Sequence, residues 1–271
     1  GGYNGTMGFD NFTRKVGYDY YYGMNEYNND KDYDGNWGIF DEPFLQYCVK
    51  QMDTLTKPFH AAFFTLSSHH PYTMPEEHKN KFSKGTLIVH ETVSYTDYAL
   101  RRFFNEASKC DWFENTLFII TSDHSGLTEE KDFKTQLGLF KIPMIVYHPK
   151  MKQNIISKQF VQQIDVYPTV IDLLNIENEK IFTFGRSPFS GKDKYYIYYS
   201  NGEYLLMIGN YLSKYKQDGS IELFDVEKDK GLKNNIANEQ KQITQKHLKF
   251  TQAFIQQYNN TIIANKTMVS K

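Results

Sequence analysis

The sequence is poor in cysteine, almost balanced in charge and free of long apolar runs. Its two cysteines in 271 residues, Cys48 and Cys110, define no disulfide framework and read better as two thiols than as one bridge. A formal net charge of −1 gives no electrostatic reason to expect nucleic acid or an anionic membrane surface as partner. No apolar run reaches the length of a membrane span, and none has the form of a signal peptide. The chain opens on Gly1-Gly2-Tyr3-Asn4-Gly5, a loop that reads as the interior of a longer protein. What is abundant is aromatic: 21 tyrosines and 21 phenylalanines suit a well-packed core and an aromatic-rich cleft. The length fits one large domain, or a domain with a small lobe.

Leu117-Phe118-Ile119-Ile120 reads as a strand buried on both faces, running into Thr121-Ser122-Asp123-His124-Ser125-Gly126. Phe59 to Leu66 reads as a second buried strand, ending in Ser67-Ser68-His69-His70-Pro71-Tyr72. Ile142 to Tyr147 is a third. Ahead of them, Asp41-Glu42-Pro43 opens a helix to about Thr54 with Asp41 as its cap. A long amphipathic helix runs from Thr92 to Cys110, and Asp165 caps a helix through Leu174. Strand and helix in alternation predict an α/β body with a mostly parallel, two-sided sheet. After Gly185 the pattern changes. Four short strands, 195–199, 204–208, 211–215 and 221–225, are joined at Asn201-Gly202, Gly209-Asn210 and Asp218-Gly219. Those dipeptides are hairpin turns, so a small antiparallel meander follows, closed by a helix over about 239–258. The expected division is 1–184 for the body and 185–271 for the meander and helix.

In an α/β sheet, ligands and catalytic groups gather at the carboxyl ends of strands. A carboxylate beside an imidazole there suits a divalent metal, so Asp123 and His124 are candidate ligands. A helix cap and a satisfied polar histidine explain the same pair, and two ligands are too few for such a site. His69, at the end of the second run, is the other polar candidate. Ser67, Ser68 and Ser125 adjoin these motifs, but serine beside histidine is common by chance and none is assigned as nucleophile. His60, His70, His78, His90, His148 and His247 read as packing or surface residues. Trp37 reads as a core anchor, Asp97 as an i,i+4 partner of Arg101, and Arg186 as a salt-bridge residue of the fold.

Several segments, in order, resemble the sulfatase-like extracellular domain of lipoteichoic acid synthases, in the alkaline phosphatase superfamily. They are 64–72, 95–100, 115–126, 142–147, 163–169, Phe184-Gly185-Arg186 and 223–229 with Asn234-Asn235. The resemblance implies a three-layer α/β fold of the alkaline phosphatase/sulfatase type with a C-terminal antiparallel lobe. It implies that Asp123 and His124 bind a divalent metal, manganese or magnesium with zinc or calcium as alternatives, and that His69 sits at the substrate phosphate or sulfate. It places the remaining ligands, a glutamate and a nucleophilic threonine, upstream of Gly1, so the chain is expected to be a C-terminal part without its nucleophile. The family's Trp-x-Arg pair has no match at Met7-Gly8-Phe9-Asp10-Asn11, which leaves head-group specificity open. The implied parent is an enzyme, a phosphoglycerol transferase acting on a phospholipid head group outside the bacterial cell membrane, with a membrane anchor in the missing part. A sulfatase acting on sulfate esters, a phosphoethanolamine transferase and a non-catalytic domain are the alternatives.

Overall fold

A computed structural model describes residues 1–152, 160–177, 182–192 and 194–266. The chain forms two compact units, Gly1–Gln153 and Asn154–Lys271. The segment 154–184, grouped with the body from sequence, thus lies within the second unit.

The first unit is built on two helices. After the short α1 (Phe9–Lys15) and α2 (Met24–Tyr27), helix α3 spans Asp41–Asp53 and α4 spans Val89–Ala107. Acidic Asp41 and Glu42 and Pro43 in the first turn of α3 suit the positive end of the helix dipole. Leu45, Val49 and Met52 of α3 pack on Ala99, Phe103 and Ala107 of α4, with Trp112 and Phe113 closing the cluster. Burying each large apolar side chain contributes about 1.5–3 kcal/mol. The fully buried alanines leave room for the facing helix. The buried stripe of α4 is Val89, Thr92, Tyr95, Ala99, Phe103 and Ala107, while Val93 lies off that stripe and is exposed.

Strand β1 is Phe118–Thr121 and β2 is Met144–Tyr147, paired antiparallel with Phe118 opposite Tyr147 and Thr121 opposite Met144. Phe118 stacks into Phe104 and Phe113, at ring distances of 5.2 and 5.4 Å. The expected parallel neighbours are not found among the described residues, where every ladder is antiparallel. β1 is half-buried and not covered on both faces. The run 59–66 enters no ladder, and Phe63 and Phe64 are exposed. Apolar, β-prone residues supply propensity, but a strand exists only where a neighbouring backbone takes its hydrogen bonds.

In the second unit, helix α5 (Val166–Leu173) precedes a meander of β3 (Tyr196–Ser200), β4 (Glu203–Ile208), β5 (Tyr211–Lys216) and β6 (Ile221–Asp225), in sequence order. Helix α6 (Lys241–Ile263) packs on β4, β5 and β6. Leu205, Leu206 and Met207 are buried in succession, so β4 is covered on both faces. His247 of α6 is buried with Nδ1 3.0 Å from Ser213 Oγ of β5. Burial, and then the charge of Lys246, lower its pKa to about 4, so it stays neutral.

Two expected caps have other roles. Asp41 is the first helical residue, after Phe40, and it is buried. Asp165 makes no side-chain cap to α5. Standing at the N-cap position of α5, it closes a capping box on the preceding 163–165 turn by accepting Gln162 N at 2.9 Å, and it also accepts Arg186 N at 2.7 Å, pinning the 184–187 loop. Sequence marks an acidic residue ahead of a helix as a cap, but folding also brought sequence-distant backbone donors to both carboxylates.

Candidate functional site

The chain leaves the β1 ladder at Thr121, whose hydroxyl donates to the Pro143 carbonyl at 2.9 Å. Asp123 and His124 follow immediately. One carboxylate oxygen of Asp123 accepts the His124 amide at 2.8 Å, which sets the carboxylate beside its neighbour. His124 Nδ1 lies 2.8 Å from the Ser125 carbonyl, leaving Nε2 as the nitrogen that faces Asp123, 3.5 Å from Oδ2. Both side chains are open to solvent, at 54% and 68% exposed.

That geometry suits a cation. Ligand bonds of about 2.1 Å at tetrahedral angles put neighbouring donor atoms about 3.4 Å apart. A metal-binding histidine ordinarily gives its second ring N–H to a backbone carbonyl, as His124 does to Ser125. Carboxylate and imidazole are both donors that manganese or zinc accepts. The number is short: no group of three or more His, Cys, Asp or Glu side chains placed to hold a metal occurs among the described residues. Asp123 and His124 are thus two donors side by side, fewer than a metal site needs.

His69 is held by a different constellation. The run 59–66 ends on Leu66 and Ser67, both buried. Asp41 grips this end: Oδ1 accepts from Leu66 N at 2.7 Å and Ser67 N at 3.1 Å, and Oδ2 accepts the Thr96 hydroxyl at 2.7 Å. The Ser67 hydroxyl in turn accepts the Asp41 amide at 3.0 Å. Three elements thus meet on one buried carboxylate, two residues before His69. His69 itself is exposed, with Nδ1 2.8 Å from the His70 carbonyl. Trp37 stands edge-on to it at 4.5 Å, half-buried and not the core anchor expected.

Two of the serines beside the motifs have structural partners. Ser67 is buried on Asp41, and the Ser125 hydroxyl donates to the Leu139 carbonyl. Burial raises the Cys48 thiol to about 12, which keeps it protonated and inert at neutral pH. His90 takes the Thr86 and Leu87 amides, and His148 the Lys150 amide, as turn residues. Asp97 pairs with Arg101 at 3.1 Å along α4. Sequence reasoning missed the Asp41 hub and the Trp37 contact. Asp34-Gly35-Asn36 ahead of Trp37 is a turn signature that marks a shaped loop there; nothing in the sequence separates Asp41 from an ordinary cap.

Known proteins give the setting. The chain is 26% identical over 222 residues to lipoteichoic acid synthase 1 of Bacillus subtilis, covering 76% of this chain and 35% of that protein. It is 24% identical over 268 residues to the lipoteichoic acid synthase of Staphylococcus aureus, covering 88% and 41%. It therefore spans less than half the length of these relatives. Among solved structures, the lipoteichoic acid synthase LtaP of Listeria monocytogenes superposes with a TM-score of 0.71 at 18% identity, over 93% of this chain and 67% of that one. A protein of the alkaline phosphatase superfamily from Vibrio parahaemolyticus gives 0.70 at 22%, over 85% and 57%. These likenesses establish an α/β fold of the alkaline phosphatase/sulfatase type. A family model described as sulfatase matches residues 2–176, more than half of the chain and the whole span from the Trp37 loop through β2. The chain belongs to the sulfatase family.

Proposed function

We propose that this chain carries part of a metal-dependent phosphoryl-transfer site, working as in a phosphoglycerol transferase on a lipid-derived substrate outside the cytoplasmic membrane. The observation that carries the reading is the 3.5 Å approach of His124 Nε2 to Asp123 Oδ2 at the end of β1. The similarity to lipoteichoic acid synthases supports phosphoglycerol as the transferred group. Asp123 and His124 would hold manganese or magnesium. When bound, such a cation supplies positive charge to a phosphoryl oxygen and to the attacking hydroxyl. His69 would stabilise negative charge on the transferred group. Among the described residues no helix is long and apolar enough to cross a membrane, and the reading assigns membrane attachment to another part of the protein. Hydrolysis of a sulfate ester is the second reading, favoured by the sulfatase family match itself.

Manganese titration by calorimetry tests the metal site. Weak binding that disappears in Asp123→Ala and His124→Ala is expected, since two ligands hold an ion loosely. Tight binding, or binding that survives loss of both side chains, refutes the site. Turnover of a chromogenic phosphodiester against a chromogenic sulfate ester, with manganese present, separates the two readings. Turnover unaffected by loss of Asp123 and His124 would sink both.

A further inference from the structure

We propose that Trp37 is a positioning residue for His69, acting through the His70 carbonyl. The indole N–H of Trp37 donates to that carbonyl at 2.7 Å. His69 Nδ1 lies 2.8 Å from the same oxygen. A carbonyl oxygen only accepts, so the ring nitrogen that approaches it is the protonated one. His69 is thereby held with its Nδ1–H on the carbonyl, so that Nε2 faces a substrate and, when it too carries a proton, donates to a phosphoryl oxygen from a fixed direction. The indole and imidazole rings meet at 70° with their centroids 4.5 Å apart, which limits rotation of the imidazole.

Trp37 is itself held. Asp34 is buried, and one of its carboxylate oxygens accepts the amides of Asn36, Trp37 and Gly38 at 2.8, 2.7 and 3.0 Å. The Asn36 side chain reaches Thr73 Oγ1 at 3.3 Å, so the loop docks on both sides of His70. A half-exposed tryptophan whose N–H is spent on the carbonyl next to a candidate substrate histidine does more than fill space. Its N–H sets the direction of the His70 peptide, and the peptide sets the imidazole. This takes its purpose from the proposed function, but the tautomer can be read without turnover.

The test uses the full chain with 15N-labelled histidine and long-range proton–nitrogen correlation, with His69 assigned by His69→Gln. The wild type is expected to show neutral His69 mainly as the Nδ1–H tautomer. Trp37→Phe keeps a ring edge and removes the N–H; Trp37→Ala removes both. Both variants are expected to shift His69 toward the Nε2–H tautomer, Ala further than Phe. Binding of inorganic phosphate with manganese present is expected to weaken about tenfold in Trp37→Ala, because the protonated ring that donates to the anion through Nε2 loses its fixed direction. Fluorescence of the remaining Trp112 reports folding, and if the Ala variant unfolds the Phe variant carries the test. A wild-type His69 found as Nε2–H, or an unchanged tautomer in folded Trp37→Phe, overturns the proposal. The expected tautomers with no phosphate binding by the wild type would support the clamp and count instead against the substrate role of His69.

Discussion

Replacing Asp41 with alanine removes the one acceptor that Leu66 N, Ser67 N and the Thr96 hydroxyl share. The residue is 1% exposed, so water does not simply take its place. The two backbone amides are left as buried, unsatisfied donors at about 1–3 kcal/mol each, while the hydroxyl can turn to another partner. Relief from burying a carboxylate offsets part of this, leaving a net loss of about 3 kcal/mol. With a urea slope of about 2 kcal/mol/M, the unfolding midpoint falls by about 1.5 M. Asp41→Asn keeps an oxygen for the amides and offers its NH2 to a rotated Thr96 hydroxyl, so it costs about 1 kcal/mol. Both tryptophans, Trp37 and Trp112, lie in the first unit, so tryptophan fluorescence during urea unfolding follows that unit alone. Hydrogen exchange at Leu66 and Ser67 should accelerate most in the Ala variant. An Ala variant within about 1 kcal/mol of wild type, or an Asn variant as damaged as Ala, would refute the hub.

The second unit carries its own pH dependence. His247 has a folded pKa of about 4, below its ordinary 6.5, so the unfolded chain takes up the proton first. Its contribution is complete above pH 6.5 and is lost as pH falls toward 4, about 3 kcal/mol in all. Tyrosine circular dichroism against urea at stepped pH should show that loss, and His247→Gln, which does not titrate, should flatten it. A wild-type curve as flat as the variant's would contradict the assignment. Gly185→Ala would place a Cβ 1.9 Å from the Ile164 carbonyl oxygen. Both sides of that contact are backbone, so a cost of at least about 2 kcal/mol is expected in thermal melts. An unchanged melting temperature would show that the loop can shift.

The sequence by itself determined what is local. The meander was legible because its turns are encoded by residues that tolerate positive φ: Asn201 at 52° and Gly202 at 83°, Gly209 at 58° and Gly219 at 84°. Helices α3, α4 and α6 were legible from apolar spacing, to within a turn at most ends. The candidate pair Asp123 and His124 was legible because adjacency needs no folding to bring them together. Tertiary structure decided everything that depends on a distant partner. It paired β1 with β2 in antiparallel register and left 59–66 without a ladder, because propensity cannot name a neighbour. It made Asp41, which reads as a cap, the anchor of a segment 25 residues away. It set Trp37 against His69, across 32 positions, so that an aromatic residue with the signature of a core came to pack on a candidate histidine. Short-range chemistry is written in neighbouring residues. A side chain's distant partner is fixed only when the chain closes on itself.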